Sequence, residues 1–325
     1  MLPGRGCQEQ NDFCGTRPAG CLNAGPMRAP IEIDGDSRSI NCPAKVNLLL
    51  AVHGQREDGY HELSSIMAPL DYGDRLRVTV GSEGEDQLFC DDPSIPLGPE
   101  NLVLQAVDLF REAVPDLPPC RFELEKRIPV GAGLGGGSSD GSAALLILND
   151  LSGHPLAGAE LLELAARLGS DCPFFLGAEP ALARGRGERL EPLPVDQTVR
   201  IRGQRLLLIA PPFGVGTSWA YARLASTGRF YTTESATNER LARFAQTGRI
   251  SDLLQNSFEE AVGAKYLAIP ALLLAFRKDG LNCLMSGSGS ACFVLLEPDF
   301  PVGPIIERCR EAWGSETFCV ETSIC

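Results

Sequence analysis

Between residues 44 and 53 apolar side chains recur at every second position. Val46, Leu48, Leu50 and Val52 fall on one side, and Lys45, Asn47, Leu49 and Ala51 on the other. A period of two predicts a strand. The same spacing predicts a strand over 74–80, with Leu76, Val78 and Val80 on one face, and another where Phe122 and Leu124 alternate with Glu123 and Glu125. Over 101–113 the period lengthens, and Leu102, Ala106, Leu109 and Phe110 recur at helical spacing. Residues 138–151 and 159–168 read as two more helices, the second stopped by Gly169. Short strands are expected near 173–176, 181–184 and 189–193.

A stretch punctuated by Pro and Gly, 194–203, is the expected boundary between two units. Beyond it the pattern gives a strand at 205–210, helices near 218–226, 238–246, 257–264, 267–278 and 303–313, and strands at 282–285, 291–296 and 316–322. Half-polar strands mixed with helices imply an α+β chain of two domains, not a doubly wound parallel sheet. The expected units are 31–196 and 197–325. Residues 1–30 show no periodicity and are rich in Gly, Pro, Asn and Cys; they read as a disordered leader, with Met27 as an alternative start. The spacing of Cys7, Cys14 and Cys21 within it reads as chance.

Composition narrows the function. The 29 Lys and Arg against 42 Asp and Glu leave a net charge of −13, which argues against nucleic acid as a partner. The longest apolar runs, such as Leu206 to Ala210, fall far short of the roughly 18 residues that a membrane-spanning helix needs. The 12 cysteines form no CxxC pair, and only His53, His61 and His154 are available as imidazoles. That argues against a zinc or histidine-based centre and for free thiols in a reducing cytoplasm.

The densest chemical signal is the run Pro129, Val130, Gly131, Ala132, Gly133, Leu134, Gly135, Gly136, Gly137, Ser138, Ser139. Backbone amides without side chains in the way approach an anion closely, and a helix beginning there adds its own amides and dipole. Asp140, directly after the serines, sets an acid beside that anion. Gly131, Gly133 and Gly136 satisfy GxGxxG, but a dinucleotide fold does not suit the chain. The preceding strand is charged at alternate positions, and Asp150 falls inside a helix. No Lys follows the glycines, so this is not a Walker loop either.

Three further segments complete a pattern: Pro43 to Asn47, Gly169 to Pro173, and a second glycine loop over Met285 to Gly289. With them the chain resembles the GHMP small-molecule kinases. The segment Gly54 to His61 narrows the resemblance to the branch that phosphorylates the 2-hydroxyl of a cytidine-diphosphate sugar alcohol in the non-mevalonate isoprenoid pathway. The resemblance runs, with gaps, from about residue 39 to the C-terminus. It implies a first domain like the second domain of ribosomal protein S5 and a ferredoxin-like second domain. It also implies ATP held by Pro129 to Ser139 with Asn101 near the adenine, Mg²⁺ with the ATP, and Lys45 and Asp171 as the catalytic pair. Asn47, Tyr60, His61, Thr217 and Tyr221 would hold the substrate. The implied partner is a small molecule only, bound by a monomer or homodimer. Other readings are another GHMP kinase, such as homoserine or mevalonate kinase, and a nucleotide-binding module without catalysis.

Overall fold

The computed structural model describes residues 30–81 and 84–325; all of the expected leader except Pro30, with Cys7, Cys14, Cys21 and Met27, lies outside the described residues. The first half is built on two long strands. β1 (Glu32–Asp34) pairs with β2 (Ser37–Gln55), and β2 runs antiparallel to β3 (His61–Val80) along its whole length. The strands are too long to serve one layer. One end of β3 pairs with β5 (Cys120–Glu125), which pairs parallel with β4 (Gln87–Cys90). The other end pairs with β6 (Ala181–Gly185), which forms a hairpin with β7 (Arg189–Pro192).

Three helices cover one face of this sheet: α1 (Leu102–Ala113), α2 (Gly136–Leu151) and α3 (Gly158–Leu168). Their apolar stripes meet Ile40, Leu76, Val78 and Phe122 in one core. α2 is buried nearly all round, as its broad apolar surface predicts. The expected strand at 173–176 is instead a short helix, α4 (Cys172–Gly177), with Pro173 in its first turn. Phe174 and Phe175 side by side look strand-like in sequence, but Pro in a first helical turn costs nothing.

The expected linker at 194–203 is also helical, α5 (Val195–Ile201). The second half then carries a four-stranded antiparallel sheet ordered β10–β11–β8–β12, from β8 (Arg205–Ala210), β10 (Cys283–Met285), β11 (Cys292–Leu295) and β12 (Phe318–Ser323). With the helices between them, that order is the ferredoxin-like arrangement. The helices are α6 (Thr217–Thr227), α7 (Glu234–Thr247), α8 (Phe258–Gly263), α9 (Ala268–Lys278) and α10 (Gly303–Trp313).

The two halves share one interior. β8 sends Leu206, Leu208 and Ala210 into a core with Val46, Leu48 and Ile66 of the first sheet, and Leu207 and Ile209 into a core with α8 and α9. Its continuous apolar run follows from burial on both faces. The short strand β9 (Gln255–Asn256) crosses over to pair parallel with β2. None of the helices among the described residues is long and apolar enough to cross a membrane.

One expectation about β2 needs correction. A register shift between Asn47 and Leu49 interrupts the alternation. Leu49 therefore joins Val46 and Leu48 in the shared core, whereas Leu50 turns to the side that carries Lys45 and Asn47. An extra residue in one strand reverses every side chain beyond it.

Candidate active site

β2, the N-terminus of α2, the β6–β7 hairpin and the start of α6 converge on one cleft of about 850 Å³. Lys45 is at its floor, 4% exposed. Its Nζ donates to Asn47 Oδ1 at 2.6 Å and lies 3.7 Å from Asp171 Oδ2. Asn47 is fixed in turn: its Nδ2 donates to Ser65 Oγ at 2.8 Å, and Ser65 Oγ donates to the Leu49 carbonyl at 2.7 Å. The period of two brings Lys45 and Asn47 to one face. Asp171 reaches them from the turn after α3, immediately before α4. Its side chain is 38% exposed, so within the pair the carboxylate is the partner open to the cleft.

The glycine loop runs from β5 into α2. Gly135 has φ +75° and caps α2 with no side chain bonded to the helix end. The first residues of α2 line the cleft, so its N-terminal amides and dipole are available to an anion. The glycines also answer to protein neighbours. A Cβ on Gly135 would stand 2.7 Å from Phe175 Cζ and 3.1 Å from Lys45 Cγ; one on Gly136 would stand 3.2 Å from Ile128 Cγ2. At these two positions the missing side chain makes room for the protein itself, beyond any room it makes for an anion.

The second glycine loop acts as a buttress. A Cβ on Gly133 would meet the Ser286 carbonyl oxygen at 2.5 Å, and one on Gly287 would meet the Gly133 carbonyl oxygen at 2.7 Å. Ala291 N donates to Ala132 O at 3.0 Å. Asn256 Nδ2 holds the second loop from behind, donating to the carbonyls of Met285 and Gly287 at 2.7 and 2.8 Å. Ser288 reaches the cleft, its Oγ 3.0 Å from Thr217 Oγ1 at the first turn of α6.

The other end of the cleft is aromatic. Tyr60, 53% exposed, follows the turn between β2 and β3. His61 beside it is 7% exposed, and its Nε2 has no hydrogen-bond partner. Burial lowers its pKa, so the ring is neutral near pH 7. The Tyr221 ring lies 5.0 Å from His61 and edge-on to Phe258 at 4.8 Å. Burial first, and then the Asp171 carboxylate, raise the pKa of its hydroxyl. Asn101 lines the cleft, but its side chain is committed as the cap of α1: Oδ1 accepts from Val103 N at 2.9 Å and Nδ2 donates to the Pro96 carbonyl at 2.8 Å.

Among the charged residues at or behind the site, Asp74, Lys126 and Arg186 were not singled out by sequence patterning, whereas Asp140 was expected beside the anion. Lys126 Nζ bridges Asp74 Oδ2 and Asp140 Oδ2, the latter at 2.8 Å. Asp74 Oδ1 accepts from the amides of Arg127 and Ile128 at 2.6 and 2.8 Å and so holds the chain as it enters the glycine loop. Burial pushes the Asp140 carboxyl up to about 7; Lys126 opposes the shift and Asp74 adds to it. Asp140 Oδ1 and Ser139 Oγ are buried without hydrogen-bond partners. For Asp140 the position after the glycine loop was a visible signal, whereas Lys126 and Asp74 meet only through the fold.

Comparison with known proteins gives the family of the chain. Residues 101–178 match the GHMP kinases N terminal domain and residues 236–315 the GHMP kinases C terminal domain. A 4-diphosphocytidyl-2-C-methyl-D-erythritol kinase of Methylacidiphilum infernorum is 41% identical over 265 residues, 80% of this chain and 86% of the relative. A crystal structure of a 4-(cytidine 5'-diphospho)-2C-methyl-D-erythritol kinase superposes with a TM-score of 0.68 at 37% identity, over 88% of this chain and 99% of that one. Homoserine kinase from Cytophaga hutchinsonii superposes with a TM-score of 0.66 over 91% of this chain and 97% of its own, but at 17% identity the likeness is one of fold alone.

Proposed function

The chain belongs to the 4-diphosphocytidyl-2-C-methyl-D-erythritol kinases, within the GHMP kinases, and from that premise we propose how its cleft works. The reaction moves the γ-phosphoryl group of ATP to the 2-hydroxyl of 4-diphosphocytidyl-2-C-methyl-D-erythritol. The observation that carries this reading is the Lys45–Asp171 pair, 3.7 Å apart and in the same cleft as an uncapped helix N-terminus.

In this reading the amides at the start of α2 receive the triphosphate. The tertiary hydroxyl comes to Asp171, the carboxylate open to the cleft. Asp171 takes the hydroxyl proton as the new P–O bond forms. A carboxylate is a weak base toward an alcohol, so the proton leaves late, when charge has drained from the oxygen. Lys45, held by Asn47, supplies a fixed positive charge to the transferred phosphoryl group. Tyr60 and Tyr221 offer faces to the cytosine, and the neutral His61 offers its unpartnered Nε2 to the base edge. Thr217 borders the substrate from α6.

Mg²⁺ accompanies the ATP in this reading. Among the described residues no group of three carboxylates, histidines or cysteines is placed to hold a metal. Mg²⁺ bound chiefly by phosphate oxygens and water needs few protein ligands. Asp140 lines the cleft, and its Oδ1, buried without a partner, is an oxygen of the type that Mg²⁺ takes. The ion would supply charge neutralisation for the triphosphate and for the ADP diphosphate that leaves as the β–γ P–O bond breaks. A reducing cytoplasm is the setting that this reading expects.

The test is a competition in one tube with ATP, Mg²⁺, 4-diphosphocytidyl-2-C-methyl-D-erythritol, homoserine and mevalonate, read by mass spectrometry. The cytidine-diphosphate alcohol alone should gain a phosphoryl group. Phosphorylation of either other alcohol, or of none, would remove this reading.

A further inference from the structure

Three cations line the cleft: Lys45, Lys126 and Arg186. Two of them have carboxylate partners, Asp171 for Lys45 and Asp74 with Asp140 for Lys126. Arg186 has none among the described residues. The arginines that flank it do: Arg184 pairs with Glu191 at 3.2 Å and Arg189 with Glu62 at 3.0 Å. Arg186 sits in the β6–β7 turn between Gly185 and Gly187, both at positive φ. A Cβ on Gly187 would lie 3.7 Å from Asp171 Oδ1, so the turn is pressed against the catalytic carboxylate. From there the side chain extends to the aromatic end, where its guanidinium carbon stands 4.6 Å from the centre of the Tyr60 ring.

We propose that Arg186 binds the diphosphate of the substrate and thereby makes a nucleoside diphosphate, not a bare alcohol, the molecule that this cleft accepts. The proposal deepens the function given above and rests on it. Along such a substrate the order is base, diphosphate, alcohol. Along the cleft Arg186 spans the same order: its guanidinium lies on Tyr60 beside His61, and its backbone turn lies beside Asp171. The diphosphate is the one part of the substrate that brings charge. It enters a chain of net charge −13, beside Asp140 and Asp171, and needs a cation that is not already neutralised. A guanidinium meets phosphate oxygens through a planar fork of donors. Stacking on Tyr60 holds that fork in place beforehand.

Calorimetry with CDP, CMP and cytidine, on the wild type, Arg186→Gln and Arg186→Lys, tests the assignment. The wild type should prefer CDP to cytidine, and the preference should shrink as salt rises. Arg186→Gln should lose at least about tenfold in CDP affinity, the scale of one lost charged hydrogen bond, while binding cytidine as before. Arg186→Lys should recover part of the loss. In steady state the KM for the substrate should rise by the same factor and the KM for ATP should hold. A wild-type ratio of CDP to cytidine affinity in Arg186→Gln would overturn the proposal. So would a loss confined to a non-hydrolysable ATP analogue, which would place Arg186 on the other nucleotide. If the wild type binds none of the three cytidine compounds, the proposed substrate itself is wrong, and that outcome is visible without any variant.

Discussion

At one end of the cleft, around Lys45, Asp171 and the start of α2, a buried lysine is fixed by a chain of hydrogen bonds through Asn47 and Ser65 and paired with a carboxylate open to the cleft. At the other end, around Tyr60, His61 and Tyr221, the groups are neutral rings beside a single guanidinium, Arg186, with one buried ring nitrogen left without a partner. The first end is organised before any ligand arrives, which suits the stabilisation of charge that exists only during transfer. The second end offers surface and unfilled hydrogen-bond capacity, which suits recognition of a ground-state molecule. Changes at Lys45 and Asp171 should therefore appear in kcat, and changes at the second end in the KM for the substrate.

The largest effect is expected at Lys45. Lys45→Ala should lower kcat by about 10²–10⁴, the range of electrostatic and acid–base contributions. Combining it with Asp171→Asn should add little, because the two act as a unit. Fully additive losses in that cycle would separate their roles. The next largest concerns the contact between the glycine loops. Gly133→Val forces a branched side chain onto the Ser286 carbonyl at a φ of +80°. It should weaken ATP binding by at least about tenfold, equivalent to about 1.4 kcal/mol; titration with a fluorescent ATP analogue reads this, and unchanged binding in a folded variant would remove the buttress.

At the aromatic end, Tyr60→Ala should raise the substrate KM by the equivalent of about 1–3 kcal/mol, the worth of a base stacked on an aromatic ring. The KM for ATP should not follow, and equal losses in both would erase the contrast between the two ends. The smallest effect belongs to Asp140. Burial holds its carboxyl up at about 7, above the 3.8 of an ordinary aspartate, so between those values the folded chain holds a proton that the unfolded chain has released. That contribution to stability is present at low pH and fades as pH rises through the window. Asp140→Asn has no such proton. Its melting temperature relative to wild type should therefore rise from pH 5 to pH 7.5, and a flat difference would mean that Asp140 does not titrate there.

Much of the scaffold was legible because its periods are regular: β2, α1, β5, α3 and β8 fall close to where alternation and helical spacing put them. The ferredoxin-like second half came from resemblance, and the order of its sheet agrees. What escaped depends on tertiary context. The reversal at Leu49 comes from a bulge in β2, and nothing local marks it. α4 shows four buried residues in a row, a pattern that periodicity cannot assign to helix or strand. Pro and Gly in 194–203 gave no sign of the short helix α5 there, nor of the contacts that β9 and the core around Val46 and Leu208 make between the two halves. At the site, Lys45 and Asp171 were legible only as parts of a motif set. Arg186 carried a weak signal, a single arginine between two glycines at the tip of a hairpin, and only the fold puts that tip against Asp171.

The claim on which the rest depends is that Asp171 receives the proton of the reacting hydroxyl. Single-turnover phosphotransfer by Asp171→Asn, with ATP and substrate both saturating, tests it most directly. The substitution is nearly isosteric, so fold and ATP affinity should survive while the transfer rate falls by about 10²–10⁴. A variant that keeps more than about a third of the wild-type rate would show Asp171 to be a turn residue and would leave transfer to positioning by Lys45 and the α2 amides.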